Sequence, residues 1–261
     1  MTEVLNGKTA LITGASSGLG ADFARQLAAY GCNLILVARR AERLQELRTE
    51  ISAAYAVSIG YQAMNLVTPD APQRLYEQIQ GSGQRVDVLV NNAGYGLYGQ
   101  LWNQPWEQLH AMLELDMVVL THLTRLFAAE MVARRFGYIL QVASTGAFQP
   151  TPTYAAYAAA KSYVLNFGEA LHYELRQTGV TCTVLCPGST RTEFFEIAGH
   201  AVTSYERATM MDSATVARIG LNAMLRGRSS VVPGWLNAVF ALGSHLLPRQ
   251  VLAAMAYRLN Q

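Results

Sequence analysis

Short apolar runs alternate along the chain with longer stretches in which apolar residues recur every three or four positions. The runs are TALIT (9–13), NLILVA (33–38), YQAMN (61–65), VDVLVN (86–91), GYILQVA (137–143), VTCTVLC (180–186) and SVV (230–232). Such runs predict buried strands, and the stretches between them predict helices. Strand–helix alternation requires crossover connections, which are right-handed and make the sheet parallel. The expected fold is therefore α/β: a doubly wound parallel sheet of about seven strands with helices on both faces. No internal repeat, low-complexity segment or linker divides the chain, so residues 1–261 read as one domain.

One predicted helix carries titratable groups among alanines: TPTYAAYAAAKSY, residues 151–163. Ala has the highest helix propensity. Tyr157 and Lys161 stand one turn apart, roughly 6 Å along the axis; Tyr154 and Lys161 are nearly eclipsed but about 10 Å apart. Tyr163 points elsewhere. Tyr157 is thus the tyrosine that can share a site with Lys161. Alone, the stretch also reads as an amphipathic helix with core tyrosines and a solvated lysine.

TALITGASSGLGADFARQLAAYG reads as strand, glycine turn and helix. Gly14, Gly18 and Gly20 let the backbone turn sharply and approach a pyrophosphate, which the free N–H groups and positive dipole end of the helix then hold. Gly14 to Gly18 also fits G-x-S-x-G, the nucleophile elbow of α/β-hydrolases. An elbow follows earlier strands, one of which supplies an oxyanion donor; here the turn ends the first strand, which counts against that reading. Arg39 and Arg40 close the second strand, where a dinucleotide site places an acid for a ribose 2′-hydroxyl or an arginine for a 2′-phosphate. No acid appears before Glu42. Arginines oppose the dipole of a helix N-terminus, and a bound phosphate explains them. The cofactor expected is NADP(H) rather than NAD.

Composition narrows the remaining classes. Hydrophobic residues are 51% and charged residues 15% of 261, which allows a large core and excludes global disorder. A net charge of +2 without a basic run argues against nucleic acid. Cys32, Cys182 and Cys186 form no C-x-x-C pair, and MTEVLNGKTALITG has no signal-peptide pattern; both fit a reducing cytoplasm. The histidines form no H-E-x-x-H or similar cluster, so no metal is expected. VVPGWLNAVFALGSHLL, residues 231–247, has no formal charge with His245 neutral, yet it is short for a span and broken by Pro233, Gly234 and Gly243. It reads as a strand and apolar helices covering a pocket or a subunit contact. Peripheral membrane contact is the second reading.

Taken in order, Thr13-Gly14-x-x-x-Gly18-x-Gly20, NNAG at Asn91 to Gly94, a serine thirteen residues before Tyr-x-x-x-Lys, and Pro187-Gly188 resemble the short-chain dehydrogenase/reductase family, in an NADP-preferring branch of about this length. The similarity runs from about residue 7 to 195. It implies a Rossmann-type fold and hydride transfer between NADPH and a carbonyl or secondary alcohol. Tyr157 is then the general acid/base, Lys161 the cation that favours its phenolate and binds the nicotinamide ribose, and Ser144 the hydrogen-bond partner of the substrate oxygen. A cation about 4 Å from a phenol favours phenolate by about 4 kcal/mol at an effective dielectric near 20.

The resemblance extends to the cofactor. It assigns Ser16, Ser17 and Leu19 to the glycine turn. Asn65, where many members have Asp, and Leu66 stand beside the adenine. Asn91, Ala93 and Gly94 flank the adenosine ribose, and Pro187, Gly188, Thr190 and Thr192 hold the nicotinamide amide. Residues 190–261 supply the substrate-covering and C-terminal segments. Tyr95, Tyr98, Trp102, Phe148, Phe194 and Phe195 flank the motif ends and suggest an apolar substrate, with Tyr154 at the pocket mouth or against the preceding loop.

A homodimer or homotetramer would form through the helices near 103–134 and 154–178, whose outer faces are expected to include Met131, Val164 and Phe167. Asp116 departs from the family's usual Asn, which supports a helix kink and a water that links the lysine to solvent. The carboxylate either pairs with Lys161, or turns to solvent or caps the kinked helix with little effect. The alternative function is an NADP(H)-binding sensor or interaction protein; the intact Ser144–Tyr157–Lys161 set favours the enzyme.

Overall fold

The computed structural model describes residues 2–244 and 246–259; His245 lies outside the described residues. In chain order the strands are β1 Thr9–Thr13, β2 Asn33–Ala38, β3 Ile59–Ala63, β4 Val88–Asn91, β5 Gly137–Val142, β6 Val180–Leu185, β7 Thr190–Arg191, β8 Met211–Asp212 and β9 Ser230–Val231. Seven of them form one parallel sheet in the order β3-β2-β1-β4-β5-β6-β9. The chain starts in the middle, winds outward to β3, then returns across β1 to build the other half, the doubly wound arrangement expected. β3 begins two residues before the predicted run, because Ile59 already pairs with Leu34 of β2. The β7–β8 pair is a separate two-stranded ribbon that the apolar pattern did not predict.

Side chains alternate across the sheet, as the period of a strand requires. Ala10, Ile12, Leu34, Leu36, Val88 and Val90 belong to one core layer, and Leu11, Ile35, Val37 and Leu89 to the other. The helices are α1 Gly18–Ala29, α2 Ala41–Ala54, α3 Ala71–Gly81, α4 Trp106–Leu113, α5 Leu120–Arg134, α6 Ala155–Glu174, α7 Phe194–Ala198, α8 Ser204–Thr209, α9 Ser213–Leu225, α10 Trp235–Gly243 and α11 Arg249–Leu259. Phe23 of α1, Leu47 of α2 and Leu221 of α9 seal the first layer; Leu75 of α3 and Phe127 of α5 seal the second. Each such fully buried side chain contributes about 1.5–3 kcal/mol of transfer free energy. Met131 and Val164, expected on outer faces, are fully buried: Met131 belongs to the second layer and Val164 to a smaller cluster with Ala143 and Val184. Phe167 is half-buried and stacks on Tyr163.

Between α4 and α5 the helix continues through a wider π turn, Glu114–Val119. The extra residue shifts the register of side chains, and such turns recur at functional sites. Here the turn carries Asp116 and Val119 inward, while Val118 is exposed.

Candidate active site

The C-terminal ends of β1, β2, β4, β5 and β6 open onto one cavity of about 880 Å³, lined by Gly14, Arg39, Asn92, Val142 and Pro187 among others. Open α/β sheets hold ligands there, because loops and helix N-termini converge at the strand ends. Gly14 has φ 66°, and a Cβ on it would stand 2.8 Å from the Ala93 Cα. Gly20 lies off the cavity. A Cβ there would collide with the Gly14 carbonyl oxygen, so glycine is what lets α1 start tight against the turn.

Ser16, Ser17, Gly18 and Leu19 all line the cavity. Arg40 donates to Ser16 Oγ at 3.2 Å and to Ser17 Oγ at 2.8 Å, and it pairs with Glu193 at 2.9 Å. Arg43 pairs with the same carboxylate. Hydrogen bonds from Arg40 and Arg43 hold the Glu193 carboxyl below the usual carboxylate range. Arg39, in contrast, is exposed, lines the cavity and forms no side-chain hydrogen bond or ion pair among the described residues. The sequence offered both arginines equally; the fold engages one and leaves the other open. Glu193 was not anticipated, since its partners lie 150 residues or more away.

Asn65, Leu66, Ala93, Gly94, Pro187, Gly188, Thr190 and Thr192 complete the wall. Asn91 does not reach it. Its side chain is buried and donates to Thr124 Oγ1 at 2.9 Å and Gln141 Oε1 at 3.0 Å. The following residue, Asn92, lines the cavity instead and clasps the glycine turn, donating to the Thr13 and Gly14 carbonyls at 3.0 and 3.2 Å. Alternation along β4 turns the two asparagines to opposite sides, and sequence reasoning singled out the wrong one for the wall. The bare glycine backbone of the cradle and the open guanidinium at Arg39 fit a phosphorylated dinucleotide.

Ser144, Tyr157 and Lys161 come together on the wall of the same cavity. Ser144 follows β5 and caps the short 3₁₀ turn Thr145–Phe148, accepting the Gly146 N–H at 3.1 Å. Lys161 is buried on α6; its Nζ donates to the Val142 carbonyl at 3.2 Å and lies 5.6 Å from the centre of the Tyr157 ring. Asp116 is wholly buried and its Oδ2 sits 3.1 Å from Lys161 Nζ. The carboxylate therefore faces the site, and the solvent-facing alternative is overturned. Gly94 is the floor of this pair: a Cβ there would lie 2.7 Å from Asp116 Oδ1 and 3.1 Å from Lys161 Nζ.

The charges act on one another. Burial pushes the Tyr157 phenol up; Lys161 pulls it down, Asp116 raises it again, and a hydrogen bond with Ser144 lowers it, with a net shift upward. Burial, the largest single effect, would lower Lys161, but the charges of Asp116 and Tyr157 and the hydrogen bond with Asp116 together raise it. Burial likewise raises Asp116, with Lys161 opposing.

Aromatic residues close the cavity beyond this set. Tyr154 is buried, lines the wall and packs 5.8 Å from Tyr157. Its hydroxyl meets His200 Nδ1 at 2.9 Å, and His200 Nε2 lies 3.7 Å from Glu206 of α8. Tyr95, Phe148, Phe194 and Phe195 also line the cavity, whereas Trp102 is 80% exposed and does not.

The model of the short chain dehydrogenase family matches residues 8–202. The chain belongs to the short-chain dehydrogenase family. This short-chain dehydrogenase is 29% identical over 253 residues to an uncharacterized oxidoreductase of Myxococcus xanthus (strain DK1622), covering 97% of this chain and 98% of that one. It is 33% identical over 191 residues to the D-beta-hydroxybutyrate dehydrogenase of Cupriavidus necator, covering 71% of each. Among solved structures, a short-chain dehydrogenase from Sphingobium yanoikuyae in complex with NADPH superposes with a TM-score of 0.83 at 28% identity, over 95% of both chains.

Proposed function

We propose that this short-chain dehydrogenase is an NADP-dependent oxidoreductase acting on the carbonyl or secondary alcohol of an apolar small molecule. One observation carries the reading: Ser144, Tyr157 and the Lys161 cation meet on the wall of a cavity that also holds the open guanidinium of Arg39. The NADPH complex of the Sphingobium relative supports the cofactor. Gly14 to Leu19 would hold the pyrophosphate, Arg39 the 2′-phosphate, Asn65 and Leu66 the adenine, and Lys161 with Pro187 to Thr192 the nicotinamide end. When bound, NADPH supplies the hydride.

The chain's own groups supply the rest. The Ser144 hydroxyl and the Tyr157 phenol hydrogen-bond the substrate oxygen and orient its carbon. In reduction Tyr157 donates its proton to that oxygen; in oxidation its phenolate removes one. Lys161 keeps positive charge beside the phenolate and so opposes the upward push that burial gives the phenol. Residues 190–261 act as the cover, with Phe194, Phe195 and Phe240 giving the pocket its apolar walls. Free, buried cysteines at 32, 182 and 186 support a cytoplasmic placement.

The test is turnover of NADPH against a panel of ketones and aldehydes, with NADH in parallel. NADPH-dependent reduction is expected, with NADH weaker. Arg39→Asp should weaken NADPH by roughly 2–4 kcal/mol, since it removes a charge-assisted contact and adds repulsion, and should help NADH relatively. Equal affinity of the unmutated protein for both cofactors rejects the NADP assignment, and inactivity across the panel rejects the enzyme.

A further inference from the structure

Helices α10 and α11 turn apolar residues in two directions. Inward, Ala241, Leu252 and Ala256 are buried and line the cavity. Outward, Trp235 and Leu242 of α10 and Leu246 just beyond it lie off the cavity and are 74%, 69% and 82% exposed. Leu236 and Val251, also off the cavity, are exposed on the same two helices. A water-facing helix side carries polar residues, and a contiguous apolar patch of large side chains marks a contact surface.

Charge decides what that contact is. Residues 213–261 contain Arg218, Arg226, Arg228, Arg249 and Arg258 and no Asp or Glu. With five of the positive charges of a chain at net +2, this segment leaves residues 1–212 at net −3. Arg249 and Arg258, at the two ends of α11, are exposed and form no ion pair among the described residues. A second copy docked through the same patch would bring further arginines to it and no carboxylate from this segment to pair with them. An anionic lipid surface matches both the apolar stripe and the charge. No helix among the described residues is long and apolar enough to cross a membrane.

We propose that α10 and α11 form an interfacial hairpin that docks on an anionic lipid surface. The outward stripe enters the boundary between head groups and acyl chains, and Arg249 and Arg258 supply attraction to the head groups. Because the same helices wall the cavity from within, docking sets that wall against the lipid.

Flotation of the purified chain with vesicles tests this, using equal parts phosphatidylcholine and phosphatidylglycerol against phosphatidylcholine alone. The chain should float with the anionic vesicles, and added salt should reduce the bound fraction. Arg249→Glu with Arg258→Glu should lower binding severalfold. Leu242→Asp with Leu246→Asp, two side chains outside the cavity, should lower it by more than about tenfold while the melting temperature holds. Quenching of tryptophan emission by brominated phosphatidylglycerol should vanish in Trp235→Phe. Absence of flotation with anionic vesicles overturns the proposal, as does binding that survives the leucine pair. So does dissociation of an oligomer by the leucine pair, which would make the patch a subunit contact.

Discussion

Asp116 lies 3.1 Å from the Lys161 ammonium, and both charges bear on the Tyr157 phenol. Oxidation needs phenolate, so its rate climbs as pH rises through the Tyr157 pKa. Burial raises that pKa first, and Asp116 adds to the rise. Asp116→Asn removes the negative charge while Lys161 keeps its bond to the Val142 carbonyl. The oxidative limb should then move to lower pH, because a charge that raises the phenol is gone. An unmoved or upward-shifted limb, read from kcat against pH, rejects the screening role; an upward shift would mean that Lys161 lost its proton with its partner. Tyr157→Phe should abolish turnover and leave NADPH binding within a few-fold. Tyr154→Phe, which loses only its bond to His200, should stay active; reversed behaviour of the two tyrosine variants would overturn the assignment. Tyr157 and Lys161 were legible because their relation is one helical turn. Glu193 and His200 were not, because each acquires its partner through the folded chain: Arg40 lies 153 residues from Glu193 and Tyr154 lies 46 from His200.

Elements repeat that division between local and distant. β1, β2, β4, β5 and β6 were readable because each is a short apolar run buried on both faces, while β3 and β9 are only partly buried. The β7–β8 ribbon has two residues per strand, too few for any period to show. The π turn at Glu114–Val119 was invisible because apolar residues continue through it; only the departure at Asp116 marked the place. Two helical glycines show how far element packing governs a single substitution. Gly20 abuts the Gly14 carbonyl, whereas Gly81, which ends α3, has open space where a Cβ would stand. Gly20→Ala should force α1 away from the turn, costing about 2 kcal/mol or more and most NADPH affinity. Gly81→Ala should gain up to about 1 kcal/mol from the lost flexibility of the unfolded chain. Urea unfolding measures both, and equal effects would show that α1 does not need its close seat.

At the scale of the whole molecule, exposed apolar side chains include Leu101, Trp102 and Trp106 around the start of α4, and two further groups. One is the α10–α11 hairpin. The other lies around α5 and α6, where Val118, Tyr163 and Tyr173 are 50%, 40% and 64% exposed. The Tyr163 hydroxyl meets Thr121 Oγ1 at 2.7 Å and its ring stacks on Phe167 at 5.8 Å, so this surface is fixed in shape before any partner arrives. A preformed surface loses little side-chain entropy on association. Stable subunit contacts bury about 800 Å² per partner, and helices of this length side by side offer an area of that order. Self-association through α5 and α6 is therefore expected, as a dimer or tetramer. It would leave the hairpin of every copy free for lipid, and several hairpins on one assembly would bind vesicles more strongly than one. Val118→Glu with Tyr163→Glu places like charges across a two-fold contact and should reduce the sedimenting mass to that of one chain at micromolar concentration. The same variant should still float with anionic vesicles, less strongly in proportion to the lost multivalency. An unmutated chain that sediments as a monomer would reject the assembly. An oligomer indifferent to Val118→Glu with Tyr163→Glu would move the subunit contact away from α5 and α6.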